Sequence, residues 1–465
     1  MLLRRLLPAD LITPLSAFLA LKPAGASLLL ESCDLGERAA RYSFVLLEGQ
    51  GEVRLEPPGV GWVEALRGLA SIGSIGPIGQ LLSESDTRTD LPGPREAFPI
   101  GVGCAGYVGF EAMVALEPSL PLPAENTLGL PTVWMRRFDA ALVFDHLHQV
   151  AELQVLCADR TKGQQRLDEL EEQLSHLATP SEPVHRTRAV AQLSQAQYEA
   201  FVMATQERIL DGDVYQMVPS HRVRVEDPPS PLEAYRRLRR LNPSPYAFLL
   251  EWDDFALVGA SPEMLVRVSD GQAETLPIAG TVARGGSDEE DAERFEALKH
   301  NPKELAEHQM LVDLARNDLG RIAIPGGVRV EKALALQRTS HVLHLTTTVK
   351  AKLKAGLDAL DVLASCFPAG TVSGTPKLRA CQRIAELEGD MRGPYGGALV
   401  RLGADGALDT ALILRTAIYA GGAAYLQAGA GVVRASDPTS EYRETLQKMG
   451  AVAEALGVNL SEMVQ

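Results

Sequence analysis

Four glutamates form two pairs whose side-chain type and spacing suit metal binding. Glu304 and Glu307 are three residues apart, as are Glu441 and Glu444, and a proline shortly precedes each pair. Proline is common at the first position of a helix, and residues three apart share a helical face, so each pair predicts two adjacent carboxylates. Two such faces brought together would offer the hard oxygen ligands that Mg²⁺ prefers.

Both pairs also fit roles that involve no metal. Glu304 lies where a capping box requires an acid, with Asn301 as the cap of the same helix. Glu444 and Lys448 are four residues apart, which is the spacing of an ordinary surface ion pair. Spacing alone therefore leaves both the metal site and the structural roles open.

One arginine and two glycines suggest an anion site near the end of the chain. Arg415 interrupts the apolar run Ala-Leu-Ile-Leu-Arg-Thr-Ala-Ile. A cation in an apolar strand is costly unless it is paired, so this guanidinium either faces water or binds an anion such as a carboxylate. Gly429 and Gly431 either allow a ligand to approach the backbone or mark a tight strand.

The loop 367–377, with the sequence FPAGTVSGTPK, is a second candidate anion site. Thr375 is predicted to cap a helix that begins at Pro376, and helix N-termini attract anions. The loop is not a P-loop, because the Gly-Lys-Ser/Thr ending is absent.

Two further patterns have more than one interpretation. His341 and His344 are three residues apart and have three interpretations. They share a helical face, or His344 alone acts as an acid or base, or the histidine has a purely structural role. The glycines of 101–106 fit a dinucleotide fingerprint, but the residues that follow are more typical of a strand than of a helix. We therefore predict a tight glycine-rich strand there.

The elements that must position these residues alternate irregularly between strands and helices. Helices are predicted at 160–178, from Ser194 onward, at 302–317 and at 438–456. Strands are predicted within 1–60, at 132–157, as a pair at 255–268, and as three strands over 397–433. Composition predicts a loop at 72–98 and a linker at 176–190. This mixture predicts an α+β fold with substantial antiparallel sheet.

Composition excludes several classes of protein. The chain has 465 residues, with 60 acidic and 45 basic side chains and a net charge of −15. This balance argues against nucleic-acid binding, and no apolar run approaches the length of a membrane span. The five cysteines are scattered, so we expect free thiols rather than disulfides or a zinc site. The N-terminal apolar run ends too early for a signal peptide, so we expect a cytoplasmic protein.

Taken together, many segments resemble the chorismate-utilising enzyme family, and they follow that family's order over nearly the whole chain. The matching segments are LLLESCDLGERAARYSF at 28–44, GDVYQMVPS at 212–220, NPSPYAF at 242–248, GASPEM at 259–264, PIAGT at 277–281, ELAEHQMLVDLARNDLGR at 304–321, SHVLHL at 340–345, FPAGTVSGTPK at 367–377, RGPYGGAL at 392–399, LDTALILRTA at 408–417 and QAGAGVVRASDPTSEYRETLQK at 427–448.

The resemblance implies a two-lobed α+β fold of antiparallel sheets with outer helices and the active site in the cleft. The N-terminal lobe would span 1–185 and the chorismate-binding catalytic lobe 192–458. The implied reaction converts chorismate and ammonia to anthranilate and pyruvate, at the start of tryptophan biosynthesis. The chain lacks a convincing glutaminase signature, so a glutamine amidotransferase subunit would deliver the ammonia within a hetero-oligomer.

The resemblance also implies roles for individual residues. The ligands of Mg²⁺ would be Glu307 and Glu444, supported by Glu304 and Glu441. The acid, base and orienting groups would be His344, Glu263 and Thr371, with Glu263 protonating the departing hydroxyl. The substrate would be bound by Tyr395, Arg415, Gly429, Gly431, Lys448, Gly280, Thr281 and Gln216.

Two positions separate the products that this family forms. Relatives that make aminodeoxychorismate usually carry a nucleophilic lysine where this chain has Ala279. Relatives that add water, to make isochorismate or salicylate, carry a lysine where this chain has Gln216, which cannot act as a base. Both differences favour ammonia addition and anthranilate. Aminodeoxychorismate synthesis stays an alternative, because some of those enzymes lack the lysine.

A regulatory site for tryptophan is also implied. Its residues would be Glu31, Ser32, Asn242, Pro243, Ser244, Pro245 and Tyr246. A carboxylate and a hydroxyl could meet the ammonium group of an amino acid, and the alternative is a polar strand end with no ligand. A third possibility is a non-catalytic regulator that only binds chorismate or tryptophan, but a degenerate copy would be expected to have lost some of the charged site residues.

Overall fold

The computed structural model describes residues 1–32, 41–71, 83–85, 98–176, 187–338 and 342–460. The strands up to residue 191 are β1 Leu2–Pro8, β2 Ala26–Glu31, β3 Tyr42–Leu55, β4 Ser83–Ser85, β5 Gly103–Val108, β6 Val133–Asp145, β7 Val150–Leu156 and β8 Arg188–Ala191. The helices up to residue 210 are α1 Pro14–Leu21, α2 Trp62–Ser71, α3 Ala112–Leu116, α4 Arg160–Leu174 and α5 Gln195–Leu210.

The remaining strands and helices follow in the same mixed order. The strands are β9 Gln216–Met217, β10 Ser220–Glu226, β11 Tyr246–Trp252, β12 Phe255–Ser261, β13 Met264–Ser269, β14 Gln272–Thr275, β15 Ile278–Ala283, β16 Ala323–Arg338, β17 Val342–Leu353, β18 Gly374–Thr375, β19 Ala398–Gly403, β20 Leu408–Leu412, β21 Thr416–Ala420 and β22 Ala423–Gly429. The helices are α6 Pro231–Leu241, α7 Asp288–Lys299, α8 Pro302–Gly320, α9 Ala359–Cys366, α10 Lys377–Glu388 and α11 Pro438–Ala455.

Most strands belong to two antiparallel ladders that share β6. One ladder runs β1, β7, β6, β3, β2, β11, β12, β21, β22, β10, β8. The other leaves β6 through β5, β19, β20, β13 and β14 to β17, which also pairs with β15 and β16. The predicted α+β class with antiparallel sheet is confirmed. The ladders join strands from both predicted lobes, and the boundary between 185 and 192 stays a prediction.

At two places that face each other, between β12 and β13 and between β20 and β21, the chain passes from one ladder to the other. Strands β12 and β13 both form within 255–268, but they do not pair with each other, because β12 pairs with β11 and β21 while β13 pairs with β14 and β20. The region 397–433 forms four strands instead of the predicted three. The predicted central strand is interrupted at 413–415, where the chain leaves β20 and enters β21.

Helix starts follow the local sequence closely, with one exception. Asn301 caps α8 by accepting hydrogen bonds from the backbone nitrogens of Lys303 and Glu304, and Asp437 caps α11. The predicted cap at Thr375 is wrong, since α10 begins one residue later than predicted and has Pro376 as its cap residue. Thr375 instead pairs with Gln216 in the short β18–β9 ladder, so a tertiary backbone pairing overrides its local capping preference.

The glycine-rich segment 101–106 leads into β5, as predicted, and not into a dinucleotide loop. Strand β5 pairs with β6 on one side and β19 on the other. A Cβ at Gly103 would clash with the backbone oxygen of Leu402, and one at Gly106 with that of Trp134. The glycines are therefore explained by close approach of neighbouring strands.

Several predictions concern cysteines, connections and membrane spans. Cys104, Cys366 and Cys381 are buried free thiols and Cys157 is a half-buried one, while Cys33 lies outside the described residues. Most of the predicted loop 72–98 and most of the predicted linker 176–190 also lie outside them. Within the described ranges, none of the helices is both long and apolar enough to cross a membrane.

Candidate active site

A cavity of about 240 Å³ brings together many of the residues that the sequence singled out. We call it the main cavity. The predicted residues in its lining are Glu263, His344, Thr371, Tyr395, Arg415, Gly429 and Lys448. They come from six of the family-like segments given above, with Gly429 and Lys448 in the same segment. Glu263 and Arg415 lie beside each other because the chain changes ladder at each of them, at facing positions.

The surroundings of Glu263 allow its carboxyl group to hold a proton near neutral pH. The Thr371 hydroxyl donates a 2.8 Å hydrogen bond to Glu263 Oε1. Burial raises the pKa of Glu263 to about 7, against the opposing effects of that hydrogen bond and of the positive charges of Lys448 and Arg415. A carboxyl group with a pKa near neutrality is suited to general acid catalysis.

The neighbouring histidine is held as one tautomer of the neutral ring. His344 Nδ1 lies 3.2 Å from the backbone oxygen of Gly280. A carbonyl oxygen only accepts, so Nδ1 carries the proton and Nε2 is the unprotonated nitrogen of the neutral ring. Burial lowers the pKa of His344, and the positive charge of Arg415 lowers it further. The imidazole is therefore neutral near pH 7 and suited to accept a proton.

A backbone irregularity aims the Gly280 carbonyl at that ring. The register of β15 on β17 shifts between Ala279 and Thr281, and Gly280 has a φ of 69°. Positive φ is easily adopted by glycine, which allows this bulge. Backbone pairing places Thr281 opposite His344, while the side chain of Thr281 lies outside the described part of the structure.

Arg415 occupies the bend between β20 and β21 and not the interior of a strand. Its φ of 48° lies in the left-handed region that residues other than glycine rarely adopt. Burial lowers the pKa of the guanidinium, opposed by the nearby Glu263 carboxylate. Because a buried cation is costly without an anion, this position favours binding of an anionic ligand in the main cavity.

Tyr395, Gly429 and Lys448 form another part of the wall of the main cavity. Tyr395 is 5% exposed, and burial raises its pKa to about 12. Lys448 Nζ donates a 2.9 Å hydrogen bond to the backbone oxygen of Gly429. A Cβ at Gly429 would lie 2.6 Å from the backbone oxygen of Pro219, so only glycine fits between the paired strands β10 and β22.

Gln216 and Gly431 contact each other beside the main cavity, outside the lining described above. The Gln216 amide nitrogen lies 2.7 Å from the place that a Cβ of Gly431 would occupy. Met217 and Val432, the next residue of each segment, exchange backbone hydrogen bonds of 3.3 and 2.9 Å. This pairing brings the 212–220 and 427–433 segments together at the cavity edge.

The four glutamates lie on α8 and α11, whose acidic residues influence one another. The pKa of Glu307 is raised by burial and by the charges of Glu304 and Glu444. Burial also raises the pKa of Glu441, with a further contribution from Glu444. Glu444 forms a 2.7 Å ion pair with Lys448, as the alternative interpretation predicted. Within the described ranges, no three acidic, histidine or cysteine residues are close enough to form a ready metal site.

Sequence reasoning gave no role to Arg392, which organises the wall behind the main cavity. Its guanidinium donates to the backbone oxygens of Val372 and Val218, both at 2.7 Å, and forms an ion pair with Glu388 at 2.6 Å. It also lies 5.5 Å from the ring centre of Tyr395. No periodic pattern marks this arginine, because it lies in an irregular segment and its partners are distant in sequence.

The predicted regulatory residues also come together, away from the main cavity. Strand β2 pairs with β11 so that Glu31 is opposite Ala247, next to Tyr246. Glu31 is 5% exposed and accepts hydrogen bonds from Tyr235 at 2.5 Å and Arg239 at 3.0 Å, neither of which was predicted. Burial raises the pKa of Glu31, opposed by these two partners.

Two polar atoms in the same region are buried without a partner. Ser32 Oγ and Asn242 Nδ2 find no hydrogen-bond acceptor or donor among the residues that the structure describes. Ser244 Oγ instead donates to the backbone oxygen of Ala260 at 3.1 Å. Pro243 and Pro245 flank Ser244 in the segment that joins α6 to β11. Unpartnered buried polar groups are costly, which favours a ligand at Ser32 and Asn242.

The fold and the main cavity, which combines a protonatable carboxyl group, a neutral histidine and the cations of Arg415 and Lys448, define an enzyme active site suited to a small anionic substrate. The model of the chorismate binding enzyme family matches residues 44–454, and the chain belongs to that family. Its relatives include anthranilate synthase component 1 of Streptomyces coelicolor, which is 40% identical over 96% of this chain and 87% of the relative.

Two other relatives agree over similar lengths. Anthranilate synthase component 1 of Pseudomonas aeruginosa is 38% identical over 97% of this chain and 94% of its own length. The crystal structure of anthranilate synthase component I from Streptococcus pneumoniae has a TM-score of 0.78 and 33% identity, over 90% of this chain and 93% of that one.

Proposed function

We propose that this chain is a Mg²⁺-dependent lyase that converts chorismate and ammonia to anthranilate, pyruvate and water. The observation that carries this proposal is the half-buried Glu263–Thr371 pair, which shares the main cavity with His344 and Arg415. The names of the curated relatives support the same reaction. Ala279 also lines the main cavity, and its methyl group offers no nucleophile for the aminodeoxychorismate route.

Charge complementarity supports chorismate as the substrate. Chorismate carries two carboxylates, and the main cavity presents the cations of Arg415 and Lys448. The half-buried Arg415 guanidinium would be stabilised by an anionic partner, since its desolvation is then offset. Tyr395 and the backbone at Gly429 line the same cavity, and we propose that they contact the enolpyruvyl carboxylate and fix its orientation.

Glu263 performs the acid step. The ring hydroxyl is a poor leaving group, and the protonated Glu263 carboxyl donates its proton so that the hydroxyl departs as water. Ammonia adds to the carbon next to the carboxylate-bearing carbon as the ring double bonds shift. Thr371 keeps the carboxyl group oriented through its hydrogen bond to Oε1.

His344 performs the base step. Its neutral ring with Nδ1 on the Gly280 carbonyl presents Nε2 as the proton acceptor. Nε2 removes the proton from the carbon that gained nitrogen as the bond between the ring carbon and the enolpyruvyl oxygen breaks. The released enolpyruvate then takes up a proton, which balances the one removed from the ring, and becomes pyruvate. The ring becomes aromatic, which drives this elimination.

The acidic faces of α8 and α11 suit a magnesium ion. Glu307 and Glu444 would bind it, with Glu304 and Glu441 in support, because carboxylates are the ligands that Mg²⁺ prefers. The negative charges of Glu304 and Glu444 raise the pKa of Glu307, and that of Glu444 raises the pKa of Glu441, so a cation between the two helices would relieve this repulsion. When bound, Mg²⁺ supplies positive charge that holds the ring carboxylate of chorismate.

A second subunit would supply the ammonia. The curated relatives are named as component 1, which implies a further component. We propose a glutamine amidotransferase as that partner, in a hetero-oligomer, with tryptophan binding at Glu31, Ser32 and Asn242 as an inhibitor. The unpartnered polar atoms of Ser32 and Asn242 support a ligand there.

Product analysis tests the reaction directly. The purified chain is incubated with chorismate, Mg²⁺ and an ammonium salt at mildly alkaline pH, with ammonium omitted in the control. Anthranilate and pyruvate in equal amounts, formed only with ammonium, are expected. Aminodeoxychorismate without pyruvate, or isochorismate or salicylate without ammonium, would each contradict the proposal.

A further inference from the structure

A second, smaller cavity lies against the Glu263–Thr371 pair. It has a volume of about 50 Å³, and we call it the inner cavity. Glu263 and Thr371 line both the main and the inner cavity, so their hydrogen-bonded pair forms a common wall. The volume of the inner cavity is about a fifth of that of the main cavity, so it suits a molecule of the size of water or ammonia better than the chorismate ring.

The inner cavity contains a buried carboxylate oxygen that lacks a partner. Asp318 on α8 is 6% exposed, and its Oδ1 has no hydrogen-bond donor within the described ranges. The other oxygen, Oδ2, accepts a 2.7 Å hydrogen bond from Lys377 Nζ. Asp318 lines the inner cavity, and its carboxylate is held by Lys377 through one oxygen while the other oxygen remains able to accept a hydrogen bond.

The polar side chains of the lining offer acceptors. The hydroxyl of Thr371 already donates to Glu263, and that of Thr275 donates to the backbone oxygen of Leu265 at 2.9 Å. Asp318 Oδ1 and the lone pairs of these hydroxyls are left to accept. The rest of the side-chain lining is largely apolar, and includes Leu311 and Leu314.

We propose that the inner cavity binds the nitrogen substrate, as ammonium or ammonia, on Asp318 Oδ1 beside the Glu263–Thr371 wall. Ammonium has four N–H donors for Asp318 Oδ1 and the hydroxyl lone pairs, and ammonia keeps three donors and gains a lone pair that can accept from the protonated Glu263 carboxyl group. The common wall places this nitrogen one side-chain pair away from the chorismate ring. The inference rests on the proposed amination reaction and names the site of its second substrate.

Steady-state kinetics with ammonium chloride as the varied substrate test the inference. Asp318→Asn keeps an oxygen for Lys377 but turns an amide donor toward the inner cavity. The KM for ammonium is expected to rise about tenfold, through loss of a hydrogen bond to a charged acceptor, while the KM for chorismate stays within about twofold. Asp313→Asn is the matched control, since Asp313 lies on the same helix, is exposed and pairs with Arg316. It should leave both KM values unchanged.

A second variant covers the case in which Asp318→Asn fails to fold. Ala315 lines the inner cavity, and Ala315→Val fills part of it without touching the main cavity lining. The KM for ammonium should again rise while that for chorismate does not. An unchanged KM for ammonium in a folded variant, or an equal rise in both KM values, would overturn the inference and leave water as the occupant. A wild-type chain that forms no anthranilate from ammonium would instead remove the proposed function itself, and this inference with it.

Discussion

Glu263 lies at the break between β12 and β13, and Arg415 lies at the break between β20 and β21. The two breaks face each other. The backbone nitrogen of Leu412 donates to the backbone oxygen of Glu263 at 2.9 Å, and that of Ala260 donates to the backbone oxygen of Arg415 at 3.2 Å. Both residues therefore occupy places where the chain changes ladder. The acid and the cation of the main cavity are held by backbone pairing on either side and not by a flexible loop.

Replacing Glu263 tests its role as the acid. Glu263→Gln keeps the size of the side chain and removes its titratable proton, so kcat is expected to fall by roughly 10² to 10⁴ while the KM for chorismate changes little. Anthranilate fluorescence and pyruvate release measure the loss. Glu454→Gln, an exposed position on α11, is the control and should retain full activity. A Glu263→Gln enzyme with near-normal kcat would exclude Glu263 as the acid.

The pH dependence of activity should report the Glu263 carboxyl group. Its pKa of about 7 means that the protonated, active form is lost as the pH rises through 7, so kcat/KM for chorismate should decline above that pH. The Thr371 hydrogen bond lowers the pKa of Glu263, so Thr371→Val should raise it and move the decline to higher pH. Profiles are measured with free ammonia held saturating. A decline that moves to lower pH in Thr371→Val would contradict this assignment.

Glu307 is expected to determine the magnesium requirement. Glu307→Gln removes one negative oxygen ligand, so most Mg²⁺-dependent turnover should be lost, with partial recovery at higher Mg²⁺. Titration of activity with MgCl₂ measures the shift. Asp313→Asn removes a carboxylate from an exposed part of α8 and should leave the Mg²⁺ dependence unchanged. Near-normal activity of Glu307→Gln at limiting Mg²⁺ would refute the metal assignment.

Arg392 should contribute strongly to stability. Arg392→Leu leaves Glu388 as an unpaired buried charge and two carbonyls without donors, so the free energy of unfolding should fall by about 3–5 kcal/mol. Urea unfolding followed by circular dichroism measures the change. Arg316→Leu breaks an exposed ion pair with Asp313 and should cost less than about 1 kcal/mol. Equal losses of stability in the two variants would show that the buried Arg392 network stabilises the fold no more than an exposed ion pair does.

Ser32 offers a test of the tryptophan site that leaves catalysis intact. Ser32→Ala removes the unpartnered hydroxyl and lies outside the main cavity, so activity without tryptophan should be unchanged. The concentration of tryptophan for half inhibition should rise roughly tenfold if the hydroxyl binds its ammonium group. Initial rates over a tryptophan series provide the measurement. If saturating tryptophan leaves the wild-type rate unaltered, the regulatory proposal fails.

The amino-acid sequence alone determined the features that depend on near neighbours. Asn301 and Asp437 begin their helices as predicted, because a cap needs only a side chain and the next few backbone nitrogens. The many coincident segments also predicted the family and seven of the residues that line the main cavity, while the predicted Gly280, Gln216 and Gly431 lie outside the lining that the structure describes. Local chemistry failed at Thr375, where pairing with the distant Gln216 decides the conformation.

Only the tertiary structure decided how those residues act on one another. The pKa of Glu263 depends on burial, the tautomer of His344 depends on the bulge at Gly280, and the half-buried bend at Arg415 depends on two ladders meeting. The inner cavity at Asp318 likewise arises from packing between α8 and the 367–377 loop, together with the strands around Glu263. These properties come from contacts between residues far apart in sequence, whose distances and electrostatic fields no local pattern encodes.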